Sequence, residues 1–434
     1  MYDAWQVTFY LSGLAGMASI PPVSEQLDKS LPYQQAVAKA QAAAQAYLNN
    51  LFVANLSATL NDPAVEKQIG SDWTVAWGPA TVVVGPTTVD WQKGIATFTA
   101  TNSAYVVQSH SQNRLVLAIA GTNPSSWFDW IVEDLVIVPG VTWDSALQTW
   151  GKGGKPVAPT SPSTPNVTSG TFVGITHVLA LLDAKTQITL QSFLSNLTLA
   201  AAQTLTVTGH SLGGALSPTL ALALIDPQGP LTSLPRGQVL TYPTAGPTPG
   251  NTAFAERLLE YLPASSGLHG WQIWNADVWN TYDLVPRAWG IDTLLFLPAL
   301  YALSFEYSVA DLALLSGIVS SGAGVSELFA STAGTVGRLD TTTIPGNFAT
   351  SLLPSDCFAW QYQPPGGPTE YLTKPQAKAR GIPESALTPI SLLEQVAYQH
   401  IQAYAQYIIP DAVTPPQAKA PLPAEVVRRM MAAV

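Results

Sequence analysis

The order of apolar and polar positions changes rhythm three times along the chain. From Leu31 to Phe52 the sequence LPYQQAVAKAQAAAQAYLNNLF is rich in Ala, Gln and Leu and free of Gly, which predicts a helix packed on a sheet. Short β-rich runs follow at WTVAW (73–77), TVVV (81–84), IATFTA (95–100) and AYVVQSH (104–110). Gly, Pro and Asn separate them, as they would successive antiparallel strands. The run RLVLAIAG (114–121) is uniformly apolar and so predicts a strand buried on both faces. Strands and helices then alternate: LTVTG (205–209) before a helix from Leu212, QVLTYP (238–243) before a helix from about Asn251, and WQIWN (271–275). This is the rhythm of βαβ units.

Two stretches interrupt that rhythm, a Gly/Pro/Ser loop at 151–170 and an apolar insert at about 290–336. Neither reads as a domain linker, because the motifs described below lie on both sides of them. No repeat of 20–50 residues stands out, which argues against a solenoid or propeller. The expected architecture is one α/β domain over 1–410 with a Pro- and Ala-rich tail at 411–434.

Composition narrows the functional classes. Hydrophobic residues make up 47% of the 434 positions, enough for a large core, and charged residues only 11%, under half the roughly 25% usual in soluble proteins. The net charge of −10 has the wrong sign for gripping phosphates, so nucleic acid is excluded as an expected partner. The single cysteine, Cys357, excludes an internal disulfide and any multi-cysteine zinc site. Asp3 stands where a secretory signal would carry basic residues, so none is read at the N-terminus. The apolar stretches at 293–305 and 312–326 are too short and too interrupted for a spanning helix.

Chemistry enters with Gly209-His210-Ser211-Leu212-Gly213. This G-x-S-x-G pattern lies between a β-branched run and an apolar helix, the setting of a nucleophile elbow. Glycines two residues either side of the serine let strand and helix approach closely enough to hold it in a strained turn. A serine at neutral pH needs a base, and the base an orienting carboxylate. In α/β hydrolases these follow in the order Ser, Asp/Glu, His, and of the five histidines only His269 and His400 follow Ser211. His210 adjoins the nucleophile and reads as support for the elbow, while His110 and His177 read as packing or loop residues. Asp277 and Asp283 both lie just past the run 271–275. With Asp283 as acid, chain order leaves His400 as base.

At this point several blocks resemble the class 3, fungal-type triacylglycerol lipases, in the family's order and across roughly Leu115 to His400. AIAGT (118–122) resembles the strand and turn that supply an oxyanion donor, and GHSLGGA (209–215) the elbow. GPTPGNTAFA (246–255) resembles the Gly-Pro then Gly-Asn-x-x-Phe-Ala block, and NTYDLVP (280–286) the block carrying the acid. The resemblance implies an α/β-hydrolase-like, mostly parallel central sheet with helices on both faces and antiparallel strands at its N-terminal side. It implies Ser211 as nucleophile, Asp283 as acid and His400 as base, with Thr122 and Leu212 forming the oxyanion hole and no metal or cofactor. Two departures are visible: FVGITH (172–177) does not place His177 where the family has Val-His-x-Gly-Phe, and the 290–336 insert lengthens the span from Asp283 to His400.

The segment NPSSWFDWIVEDL (123–135) looks like the family's amphipathic lid. Pro124 suits a first helical turn, and Trp127, Phe128, Ile131, Val132 and Leu135 share one face opposite Asp129 and Glu133. Trp127, Phe128, Trp130 and Ile131 are the expected substrate contacts; the competing reading is a fixed helix covering the sheet. The insert reads either as a second acyl-binding cap or as ordinary core. The expected activity is hydrolysis of long-chain acylglycerols at a lipid–water interface through an acyl-serine. A phospholipase or a short-chain or aryl esterase is the alternative within enzymes, and a non-catalytic lipid-binding protein on a hydrolase scaffold the alternative outside them. The family likeness also fits a secreted protein.

Overall fold

The computed structural model describes residues 1–16, 22–121, 140–229, 231, 234–280, 282–287, 316, 336–337, 358–367 and 369–410. The expected lid (123–135), the tail (411–434) and the insert (290–336), apart from Ser316 and Val336, lie outside the described residues.

The architecture is organised by strands β2 (Trp73–Val82), β5 (Asn102–Ser109), β6 (Arg114–Ile119), β7 (Thr204–His210) and β8 (Val239–Thr244). They form one sheet in the order β8-β7-β6-β5-β2. The pairs β6/β7 and β7/β8 are parallel, whereas β5/β6 and β2/β5 are antiparallel. The expectation of a mostly parallel sheet is therefore corrected to a mixed one. The reason is local: only four residues separate β5 from β6, and so short a turn can join strands only antiparallel, while a parallel pair needs a crossover.

The uniformly apolar β6 behaves as its sequence requires. Leu115, Leu117 and Ile119 pack into one core cluster with Leu205 and Val207 of β7, while Val116 and Ala118 enter a second cluster with Tyr105 and Tyr242 on the opposite face. The first face is covered by helix α5 (Leu212–Ile225), every residue of which is buried, together with α3 (Trp143–Lys152), α4 (Ser169–Ala180) and α6 (Thr252–Tyr261).

The second face is covered by a helix that composition did not single out, α1 (Ala4–Ala15). Asp3 accepts from the Trp5 and Gln6 N–H groups and Gln6 Oε1 accepts from the Asp3 N–H, closing a capping box. Phe9, Tyr10, Leu11 and Leu14 are buried against the sheet, each contributing about 1.5–3 kcal/mol. Helix α2 (Tyr33–Leu60) is longer than the predicted span. It buries Ala36, Ala40, Ala44, Leu48, Phe52, Leu56 and Leu60 at a four-residue spacing. Its first half covers a small antiparallel sheet of β1 (Val23–Gln26), β4 (Ile95–Phe98) and β3 (Pro86–Asp90), and Phe52 and beyond reach the second core face.

The run 271–275 does not become a strand of the central sheet. Only Ile273–Trp274 is extended, paired with Ser265–Ser266. The cause is Asn275, which sits at φ 64° and uses its side-chain Oδ1 to accept from the Thr241 N–H, while its own N–H donates to the Thr241 carbonyl. A side chain thus replaces the ladder at the edge of β8, and the chain leaves toward Asp277 and Asp283.

One buried ion pair joins three helices of the first face. Asp226, at the end of α5, accepts from Arg257 Nε at 2.7 Å, Arg257 Nη2 at 2.9 Å and Trp143 Nε1 at 2.8 Å. Burial raises its pKa, but these hydrogen bonds and the guanidinium outweigh it, leaving a net lowering from 3.8. Asp226→Ala leaves the half-buried Arg257 cation and the buried Trp143 N–H without their acceptor and is expected to cost about 1–3 kcal/mol in urea unfolding at pH 7. Because the folded-state pKa is depressed, this contribution is present above about pH 4 and lost as pH falls through the lowered value, so the difference from the wild type narrows in acid.

Candidate active site

Strand β7 runs directly into helix α5 through Ser211, which adopts φ 59°, ψ −126°. A non-glycine residue held at positive φ needs the surrounding structure to hold it there. Here the Ser211 N–H donates to the Thr244 carbonyl at 3.0 Å, and the Gly214 N–H donates to the Ser211 carbonyl at 2.7 Å. The flanking glycines are dictated by contact. A Cβ on Gly209 would lie 2.4 Å from the carbonyl of Gly213, and one on Gly213 would lie 2.3 Å from the carbonyl oxygen of Ile119. Strand and helix could not cross at this separation with any larger residue. Leu212 heads α5, where the first N–H groups of a helix have no intrahelical partner.

The chain just past β6 also meets the elbow. A Cβ on Gly121 would lie 2.7 Å from the His210 carbonyl oxygen and 3.0 Å from Ser211 Cβ. Thr122, the next residue, and Trp127, Phe128, Trp130 and Ile131 lie outside the described residues.

Asp283 and His400 are brought together from 117 positions apart. His400 Nδ1 lies 2.9 Å from Asp283 Oδ2 and 3.0 Å from Oδ1, with the aspartate fully buried and the histidine 2% exposed. His400 is the last residue of α7 (Leu392–His400), whose start is fixed by a capping box between Ser391 and Glu394. Helix α8 (Gln402–Ile408) follows after a break at Ile401.

The loop carrying Asp283 is held on that helix pair. The Val285 N–H donates to Asp283 Oδ1 at 3.0 Å, the Tyr404 hydroxyl donates to Oδ2 at 2.8 Å, and the Asn280 N–H donates to the Tyr404 oxygen at 2.7 Å. Asn280 Nδ2 donates to the Gln399 carbonyl and to its Oε1. Burial first, and the charge of Asp283 second, push the Tyr404 hydroxyl well above its usual value, so it remains a donor.

The other candidates are elsewhere. His269 stacks on Trp271 at the surface, His110 lies exposed at the end of β5, and His177 lies half-buried on α4. Asp277 is buried on the same loop as Asp283 but accepts from the Gly246 N–H at 3.3 Å. Asn280 stood first in the block carrying the acid, whereas the supporting residues Thr244, Gln399 and Tyr404 were not singled out in the sequence. Tyr404 alone had a local signal, standing one helical turn after His400.

Among the described residues no group of His, Cys, Asp and Glu could hold a metal ion, and no helix is long and apolar enough to cross a membrane.

Comparison with known proteins finds likenesses of fold and of sequence. The fold is similar to that of the crystal structure of M37 lipase, with a TM-score of 0.59 over 99% of this chain and 100% of that one at 22% identity. At that identity the likeness is one of fold, an α/β-hydrolase-like architecture with a mixed sheet. The triacylglyceride lipase of Rhizomucor miehei aligns over 54% of this chain and 67% of its own at 19% identity, with a TM-score of 0.34. Lipase II from Rhizopus niveus aligns over 62% and 79% at 17% identity, with a TM-score of 0.33. No curated protein matches the sequence. Residues 146–293, which hold both the Ser211 elbow and Asp283, match the model of the lipase (class 3) family.

Proposed function

We propose that the chain is a serine carboxylic-ester hydrolase, a lipase cleaving long-chain acylglycerols, with Ser211 as nucleophile, His400 as base and Asp283 as acid. The observation that carries this reading is the conjunction of the strained elbow at Ser211 with a fully buried Asp283–His400 hydrogen bond. In the proposed reaction His400 takes the Ser211 hydroxyl proton as Oγ attacks the ester carbonyl. The tetrahedral intermediate collapses as His400 returns that proton to the leaving alkoxide, and a water activated by His400 then hydrolyses the acyl-serine. Asp283 holds His400 in the tautomer that carries its proton on Nδ1, leaving Nε2 to act as base. The developing oxyanion is assigned to the N–H groups of Leu212 and Thr122, and one such donor is worth about 2.7–4 kcal/mol of barrier. Gly121 packed on Ser211 supports the Thr122 assignment, since Thr122 follows it directly.

In this reading residues 123–135 act as a lid whose apolar face, with Trp127, Phe128, Ile131, Val132 and Leu135, meets lipid when open, and Trp130 joins Trp127, Phe128 and Ile131 in contacting substrate. The 11% charged composition favours contact with such an interface.

A fluorophosphonate probe is expected to label the protein once, on Ser211, as read by peptide mass spectrometry. Absence of labelling would favour a lipid-binding protein without catalysis. A series of p-nitrophenyl esters is expected to favour long acyl chains presented as an emulsion. Preference for short chains below their solubility limit would instead mark an esterase.

A further inference from the structure

The geometry points to His210 as a positioning residue for His400, acting through the base's backbone carbonyl; this rests on the catalytic assignment of Ser211, Asp283 and His400. His210 ends β7 and its ring is buried, 4% exposed, between β8 and the α7–α8 break. Its Nε2 lies 2.8 Å from the His400 carbonyl oxygen and its Nδ1 3.0 Å from Thr244 Oγ1. A carbonyl can only accept, so Nε2 carries the proton and Nδ1 accepts from the Thr244 hydroxyl. Burial, reinforced by the nearby His400, holds the His210 pKa well below 6.5, which keeps the ring neutral and this tautomer in place.

The bond falls where the fold needs it. His400 is the last residue of α7, and the closing carbonyls of a helix have no intrahelical donor. At Ile401 the backbone departs to φ −117°, ψ −65° before α8 begins. The carbonyl of the base thus sits at a buried helix break with His210 as its donor. The two imidazoles lie 5.0 Å apart between centroids, and Tyr404 meets the His210 ring edge-on at 5.3 Å.

Thr244 closes the arrangement. Its carbonyl receives the Ser211 N–H and its hydroxyl serves His210. The backbone of the nucleophile and the backbone of the base, which the His210 bond joins across 190 positions, are therefore referred to one residue of β8. A misplacement of about 1 Å between reacting groups can cost on the order of 100-fold.

The test compares His210→Leu, which keeps bulk and loses the donor, with His210→Gln, whose amide keeps an N–H donor, in kinetics on a soluble p-nitrophenyl ester. His210→Leu is expected to lower kcat about 10- to 100-fold with KM within about twofold, and to slow fluorophosphonate labelling in parallel. His210→Gln is expected to return kcat to within about fivefold of the wild type, and Thr244→Val to lower it about 3- to 10-fold. Equal kcat in the Leu and Gln variants, whether both normal or both depressed, overturns the role, as does a loss confined to KM. If the Leu variant does not fold, a Thr244→Val protein with wild-type kcat overturns it instead. Ser211→Ala run alongside separates the two levels: activity there defeats the catalytic assignment itself, whereas an inactive Ser211→Ala beside a fully active His210→Leu defeats only the positioning role.

Discussion

Ser211→Ala is expected to lower kcat on a soluble p-nitrophenyl ester by about 10⁵–10⁶-fold, equivalent to roughly 7–8 kcal/mol of barrier. Removing Oγ removes the acyl-enzyme route altogether, leaving only what the oxyanion donors and substrate binding contribute. The fold is expected to be unaffected. What holds position 211 at φ 59° is backbone: its N–H on the Thr244 carbonyl and its carbonyl under the Gly214 N–H. Alanine keeps all of these and the same Cβ, so a melting shift beyond about 3 °C would mean a cost above roughly 1 kcal/mol and a structural part for the hydroxyl. Retention of more than a trace of activity would remove Ser211 from the reaction.

Asp283→Asn is expected to lower kcat about 10⁴-fold with little change in KM. The carboxylate accepts from three donors at once, His400 Nδ1, the Tyr404 hydroxyl and the Val285 N–H. An amide has one acceptor oxygen. If that oxygen keeps Val285, the NH₂ group faces His400 and Tyr404, and His400 must turn its proton to Nε2, where it can no longer act as base. If the amide flips, the buried Val285 N–H faces the NH₂ group instead. Either arrangement leaves a buried conflict, so some loss of stability accompanies the loss of rate. Asp277→Asn is the matched control, since Asp277 is buried on the same loop and accepts from the Gly246 N–H; its effect is expected to stay below about tenfold. A larger effect at Asp277 than at Asp283 would exchange their roles.

What the sequence disclosed depended on whether the cause was local. The elbow was legible because strand, turn and helix are contiguous and the two glycines stand at fixed offsets from Ser211. Strand β6 was legible because burial on both faces leaves no polar position in LVLAI. Helix α1 was not, because its apolar residues surround the whole helix and leave no amphipathic period; the pair Asp3 and Gln6 was its only signal. The run 271–275 has strand composition, and nothing in it announces that the Asn275 side chain takes the place of a ladder bond. Tyr404 acquires its role from Asp283 across 121 positions, a relation that exists only after folding. Chain order could nominate His400, but the acid's environment is made by α7 and α8.

The cover formed by α1 has a consequence for the order of folding. Gln6 Nε2 donates to the Ile408 carbonyl at 2.7 Å across 402 positions, so α1 and α8 lie joined on the same side of the sheet. Strands β5 to β8, helix α5 and the elbow all lie within residues 102–244. His400, the proposed base, cannot be set by that segment. It reaches its place only when α8 docks beside α1, which closes a loop of 402 positions. If the proposed roles hold, the return of ester hydrolysis during refolding is expected to lag the burial of Trp143 and Trp150 in the first core cluster, and simultaneous recovery of the two would show that joining the ends is not a separate step.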